Sequence, residues 1–300
     1  MTESLKAVVL PDRKILVVSG TDRVKFLQGL MTNDIRRLTP DRALYAGFLT
    51  GQGKLLCDAF VMQDGDRILI DIAGAFVEDF VKRLIAFKLR AAVEIGETVP
   101  ALAVAAVWGT GAARLELDSA EGAVGNGALA AAQYAFVDPR IAALGARLVY
   151  SAGFPIEAEL ARLGFAIATP ADYAGHRLAL GIADAAEIGG EVCYPLEANF
   201  EMLHGVDFRK GCYVGQELTA RMKLKGELRK RILPVSGSAP LPEIGTPVTA
   251  DGTALGPLIA ASGTRGLALL RLDRLACAKE DAIRAEDVQL IVHWPSWLPR

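Results

Sequence analysis

Long apolar runs are missing from this 300-residue chain. Every hydrophobic stretch is soon broken by charge or glycine, so no membrane-spanning helix is expected. A leader is missing too. The opening "MTESLKAVVLPDRKILVV" has no basic region ahead of a long apolar core, so neither a signal nor a transit peptide is read there. The four cysteines, Cys57, Cys193, Cys212 and Cys277, lie far apart. They form no C-x-x-C pair and no Cys/His cluster at zinc spacing, which speaks against a zinc site and a disulfide framework. Reduced thiols in the cytoplasm are the expectation. A net charge of −2 gives no global pull toward nucleic acid or a membrane surface. The three histidines, His176, His204 and His293, are scattered, so no base can be assigned to a cysteine nucleophile. P-loop, G-x-G-x-x-G, H-E-x-x-H and G-x-S-x-G patterns are all absent.

What is present reads as an ordinary globular protein, 52% hydrophobic and 23% charged. The length suffices for two or three domains. "KAVVLPDRKILVVSG" reads as two strands around a Pro-Asp turn. Ser19 or Thr21 can then cap a helix through "DRVKFLQGLMTND", with Val24, Leu27, Leu30 and Met31 at helical spacing. From Ala43, three β-rich runs joined by "GQG" and Asp64-Gly65 predict an antiparallel meander. Phe76/Val77, Phe80/Val81 and Leu84/Ile85 predict an amphipathic helix packed on that sheet. The stretch from Ala101 to Ala132 is alanine- and glycine-rich and predicts a weak strand and a surface helix. "FPIEAELARLG" reads as a short helix ended by Gly164. "TPADYAGHRLALG" predicts a helix capped by Thr169, with Pro170 in its first turn and Gly181 at its end. After the polar joint "LKGELRKR" come short β runs, with turns expected at Asp251-Gly252, Gly256-Pro257 and Gly263. They predict a β-barrel or sandwich. The fold class is α+β, divided as 1–225 and a C-terminal all-β domain over 228–300.

One stretch, "RKGCYVGQELTAR", concentrates the chemistry. Gly211 and Gly215 flank Cys212 and permit positive φ or close approach of a ligand. Arg209 and Lys210 would favour its thiolate, making a nucleophile or soft metal ligand possible; a small apolar residue in a turn is the plainer alternative. From Arg209 to Arg231 stand eight basic residues (Arg209, Lys210, Arg221, Lys223, Lys225, Arg229, Lys230, Arg231) against Glu217 and Glu227, a local +6. Such a segment recruits anions, a carboxylate-tailed cofactor or a nucleic-acid backbone, or serves only as a solvated linker. Aromatics for base stacking are missing after Tyr213. "FLQGLMTND" offers Gln28, Asn33 and Asp34 for hydrogen bonding to a heterocycle, or for capping. "PLEANFE" offers Glu197 and Asn199, as pocket groups or as turn residues.

In their order, "FLQGLMTNDI", "GFLTGQGKLLCDAFV", "FKLRAAVEI", "PLEANFEMLHGVDFRKGCYVGQELTAR" and "LGPLIAASGTRGLALLRL" resemble the YgfZ family of folate-binding proteins. That family lies in the superfamily of the glycine-cleavage T-protein, an aminomethyltransferase, and includes a mitochondrial cluster-assembly factor. The resemblance spans about Phe26 to Leu272, and "KGCYVGQE" (Lys210 to Glu217) is its specific signature. It implies a T-protein-like fold of antiparallel sheets and helices around a central channel, plus a small C-terminal β-barrel. It implies tetrahydrofolate as cofactor and a role in iron–sulfur cluster assembly or repair, with cluster enzymes, including tRNA-modifying ones, as beneficiaries. Carried onto this sequence, Cys212 is the functional thiol with Lys210 beside it. Gln28, Asn33, Asp34, Asp58, Glu197, Asn199, Tyr213, Gly215, Gln216, Glu217 and Arg221 are the expected folate-site residues. T-proteins carry a double aspartate where this chain reads Cys57-Asp58, and a glutamate where "RLALG" has Ala179. Where YgfZ proteins often have a "THYRG"-like run, this chain has "MKLKG". These departures argue against aminomethyl transfer. Two alternatives are a folate-dependent one-carbon transferase using Asp58 and a tRNA-binding factor using the basic segment.

Overall fold

The structure is a computed structural model that describes residues 5–98, 100–125, 129, 132–226 and 228–299. The chain begins with β1 (Lys6–Val9), β2 (Arg13–Ser19), α1 (Arg23–Gln28), β3 (Leu44–Leu49), β4 (Leu55–Asp64), β5 (Arg67–Ala73), α2 (Val77–Lys88) and β6 (Glu94–Glu97). Then come β7 (Leu102–Trp108), α3 (Gly111–Arg114), β8 (Val124–Gly125), β9 (Ala132–Val137), β10 (Ala146–Ser151), α4 (Ile156–Arg162), β11 (Ala166–Ile167), α5 (Pro170–Leu180), α6 (Ala185–Ile188) and α7 (Gln216–Lys225). The last part holds β12 (Lys230–Gly237), β13 (Pro247–Ala250), β14 (Thr253–Ser262), β15 (Arg265–Arg271), α8 (Leu272–Leu275), β16 (Ile283–Ala285) and β17 (Val288–Val292).

These strands build two open sheets and a barrel. One sheet has the order β3-β4-β5-β2-β6, the other β11-β1-β7-β10-β9-β8, and β12 to β17 close on themselves. The glycine-punctuated runs after Ala43 form the expected meander. Helix α2 covers its sheet, burying Phe80 and Leu84 beside Phe48 and Cys57. Helix α5 forms as its sequence demands: Thr169 accepts from Asp172 N in a capping box, Pro170 sits at the first turn, and Gly181 (φ 77°) ends it in the left-handed region.

Several expectations need correcting. The strands around Pro11-Asp12 do not pair with each other; β1 joins the six-stranded sheet and β2 the five-stranded one. The turn is therefore a crossing between layers. Neither Ser19 nor Thr21 caps α1. Asp22 occupies the cap position and its carboxylate accepts instead from Ala92 N at 2.8 Å. The strand expected in the alanine-rich stretch is present as β7, but it is central in its sheet rather than weak, and Val104 to Val107 are all buried. Alanine in an interior strand is a packing choice between layers rather than a sign of irregularity. The expected surface helix after it is one short turn, α3, and residues 126–128 and 130–131 of that stretch lie outside the described residues. Gly256-Pro257 is not a turn but part of β14. A Cβ on Gly256 would lie 2.0 Å from Leu269 O, so the glycine lets two barrel strands close tightly. The polar joint starts inside a helix, since α7 runs to Lys225; Glu227 lies outside the described residues.

A buried ionic layer, not anticipated from sequence, ties the two open sheets together. Asp71 on β5 accepts from Arg13 Nε (2.6 Å) on β2 and from Arg147 Nη1 (2.9 Å) on β10. Asp138 takes Arg140 (2.8 Å) and approaches Arg147 (3.5 Å). Phe60 lies under these cations, with the Arg147 guanidinium 3.8 Å from its centroid. Burial works against the Asp138 carboxylate, but Arg140 and Arg147 outweigh it and hold its pKa below the usual carboxylate value.

Candidate functional site

Cys212 is exposed, and the loop presenting it is fastened at both ends. On the N-terminal side, the buried Lys210 ammonium donates to Gln28 O at 2.7 Å, Asn33 O at 3.0 Å and Met31 O. These carbonyls belong to the end of α1 and the turn after it, where helical carbonyls lack intrahelical partners. The Tyr213 ring stands 4.7 Å from the same ammonium. Burial pushes the Lys210 pKa down to about 8. A lysine held this way anchors the loop, and its charge points at backbone carbonyls rather than at the thiol. The expectation that Lys210 serves Cys212 directly is corrected accordingly.

On the C-terminal side, Gly215 begins α7 with φ 79°. A Cβ there would lie 2.3 Å from Thr50 O. The β3–β4 turn reciprocates, since Gly53 (φ 79°) would meet Gly215 O at 2.9 Å if it bore a Cβ. Two glycines in contact thus bring the thiol loop onto the hairpin, a close approach that any side chain would prevent. Val214 N donates to Gly29 O (3.0 Å), and Gln216 Oε1 accepts from Tyr213 N (3.2 Å). The "GQG" turn and "KGCYVGQE" are two halves of one device. Only pairing of glycines across the chain could have revealed this, and a single sequence carries no such signal.

The polar residues of "FLQGLMTND" form the floor of the site. Gln28 donates to Asp34 Oδ1 (3.0 Å) and accepts from Ile35 N (3.0 Å). The Arg36 guanidinium bonds Asp34 and brings its pKa down to about 2. Asn33 donates to Tyr45 O (2.8 Å) and His204 O (2.7 Å). Gln28, Asn33, Asp34, Lys210, Tyr213, Gly215 and Gln216 are therefore brought together, chiefly by bonds to one another and to backbone. Glu217 and Arg221 are exposed on α7 just beyond.

The remaining expected residues make their contacts elsewhere. Asp58 is fully buried (0% exposed) on β4, accepts from Tyr45 OH at 2.9 Å, and has its pKa raised by burial against the pull of Arg13. Its Oδ1 has no hydrogen-bond partner among the described residues, and neither has Arg13 Nη1, which faces Asp184 Oδ1 at 3.9 Å. Glu197 accepts from Tyr194 N (3.0 Å), and its carbonyl accepts from Ile232 N (2.9 Å). Asn199 (φ 62°) donates to Ile232 O (2.9 Å) and accepts from Arg231 (2.7 Å). These two fasten the barrel to the body. A cleft of about 50 Å³ opens beside Asn33 and Tyr45, lined also by Arg37, Arg42, Glu121 and His204. Among the described residues, no group of three His, Cys, Asp or Glu side chains could hold a metal ion.

Two open sheets, a closed terminal barrel and a thiol loop at the body's edge define a class. The chain superposes on the glycine cleavage system aminomethyltransferase T of Bartonella henselae with a TM-score of 0.78, covering 99% of this chain and 87% of that one at 14% identity. That likeness shows the fold, a T-protein-like body. Residues 229–300 match the family described as CAF17, C-terminal beta-barrel domain.

Within that class, the chain belongs to the family of iron–sulfur cluster assembly factors named IBA57. The mitochondrial IBA57 of Homo sapiens is 34% identical, over 97% of this chain and 84% of its own length. The mitochondrial homologue of Mycosarcoma maydis is 37% identical over 77% of this chain, and the chain spans 57% of its length. These names overturn the cytoplasmic expectation: the relatives are mitochondrial proteins.

Proposed function

We propose that this chain is an accessory factor of iron–sulfur cluster assembly or repair whose working group is the Cys212 thiol. The observation that carries this reading is an exposed cysteine on a loop that Lys210 and the Gly53–Gly215 contact hold fast. The cluster is cargo. Cys212 supplies one thiolate to it, and the other ligands come from the partner that gives or receives it. Effects on cluster-dependent enzymes, tRNA-modifying ones included, would follow downstream. The test is activation of an apo cluster enzyme by a cluster donor in the presence of the purified chain. Wild type should accelerate activation and Cys212→Ala should not; equal rates would remove the thiol from the account.

We further propose tetrahydrofolate, as in the YgfZ proteins this chain resembles, bound where the body's layers meet. The donor set fits. Asp58 Oδ1 is a buried acceptor without a hydrogen-bond partner, and Arg13 Nη1 a buried donor whose contact is the 3.9 Å approach to Asp184; a pterin's amino and carbonyl groups could use both. Arg42 lines the cleft next to Tyr45 and suits a tail carboxylate, while Arg37 and His204 there already face Asp207 and Glu121. The cleft's size admits a carboxylate, so entry of the ring requires Tyr45 to move. Calorimetric titration with tetrahydrofolate tests this: binding that Asp58→Asn weakens supports the site, and absence of binding removes folate. A transferase reading gains no separate support: Asp58 is the one carboxylate offered for it, and Tyr45 OH is bonded to it.

A further inference from the structure

Helix α7, which follows the thiol loop, exposes a run of cations and, near its C-terminal end, one leucine. Along one stripe of the helix, at i, i+3, i+4 and i+7, lie Glu217, Ala220, Arg221 and Leu224, all exposed. Lys225, Arg229 and Lys230 extend the positive field past the helix end, and Arg209 begins it one turn of chain before Cys212; all four are exposed. Among the described residues, Lys223 pairs with Glu201, whereas Arg209, Arg221, Lys225, Arg229 and Lys230 form no salt bridge. Leu224 is 86% exposed, and Phe208, whose ring lies 5.4 Å from Lys223 Nζ, is also exposed. A leucine so placed contributes nothing to the core. Unpaired cations around it carry no folding benefit that would explain their clustering, since exposed charges contribute little to stability.

We propose that this face of α7, with Phe208 and Arg209, is a docking surface for an acidic protein, which it seats against Cys212. This rests on the reading of Cys212 as a thiol offered to a partner, and it adds where and by what chemistry the partner is held. Apolar contact ringed by charge is the anatomy of a protein interface. Carboxylates on the partner complement Arg221, Lys225 and Arg209, which steers encounter and fixes orientation. A nucleic acid is disfavoured because Glu217 lies on the same stripe and would repel phosphate, and because the Tyr213 ring is engaged by Lys210 and the Phe208 ring by Lys223. The arrangement places the acidic partner's own ligands beside the thiol, so charge selects the partner and the thiol acts once it is seated.

The test uses the full chain and a labelled amphipathic peptide with glutamate on one face and leucine on the other. The comparison probes are the same peptide with lysine for glutamate, transfer RNA, and vesicles of phosphatidylserine. The glutamate peptide should bind, weaken with salt, and slow maleimide labelling of Cys212. The double variant Arg221→Glu/Lys225→Glu should weaken it by about tenfold or more. Leu224→Ser, which removes no core contact, should weaken it while leaving the salt dependence unchanged. No binding, binding indifferent to both variants, or tighter binding of transfer RNA or vesicles would overturn the proposal. Activation of the apo cluster enzyme separates this from the thiol reading. Normal activation by the charge-reversed variant with failure of Cys212→Ala sinks the docking face alone. Normal activation by Cys212→Ala sinks the thiol alone.

Discussion

Lys210 shows how a signature residue acts by position. Its ammonium closes three backbone carbonyls, so Lys210→Met should leave them without a donor and cost about 1–3 kcal/mol near neutral pH, read by denaturant unfolding. Alkylation of Cys212 should also change in that variant, because the loop is no longer anchored at that end. The titration has a definite sign. Burial lowers the Lys210 pKa from 10.5 to about 8. Between those values the unfolded chain keeps a proton that the folded one has released, so this group makes wild type more stable as pH rises. The gap in unfolding free energy between wild type and Lys210→Met should therefore widen in favour of wild type from about pH 8 to 10.5; a narrowing gap would show that the amine stays charged. Cys212, Lys210 and their neighbours stood out as a candidate site because the signature is contiguous. The direction in which Lys210 points was not legible, because its acceptors lie far back in the chain and are backbone atoms, which carry no side-chain identity.

At the scale of elements, two turns define the site: the hairpin between β3 and β4, and the left-handed start of α7. Gly215→Ala combines a positive φ with a Cβ that would lie 2.3 Å from Thr50 O. The backbone penalty alone is about 1–2 kcal/mol. Thermal unfolding should show at least that loss, and Cys212 labelling should become faster as the loop lifts from the hairpin. Helix α5 offers a control away from the site. Thr169→Ala removes a capping box and should cost about 1 kcal/mol without altering Cys212 labelling. The helix α5, the helix α2 and the meander were readable because periodicity and caps are local. The central place of β7 was not, because alanines buried between layers look the same in sequence as alanines in a loop. Asp22 displaced Ser19 and Thr21 as the cap of α1 because its carboxylate found Ala92 N, a partner distant in sequence.

Over the whole molecule, the T-protein-like body and the barrel were anticipated, yet the layer that joins the sheets was not. Arg13, Asp71 and Arg147 lie in strands and Asp138 directly after one, and nothing in their local sequence marks them as buried. Their burial is explicable only with both sheets in place. Asp71→Asn would leave the Arg13 and Arg147 guanidiniums underpaired in the interior, and a loss of about 3–5 kcal/mol is expected, measured by denaturant midpoint. Asn199 makes the corresponding link to the barrel. Lys210 and the glycine contact fasten the loop that presents the exposed Cys212. The most direct test is the activity of a cluster-dependent enzyme in cells lacking this family member and expressing Cys212→Ser at wild-type levels of folded protein. Activity no higher than in the deletion strain is the predicted result; full restoration by Cys212→Ser would contradict the account.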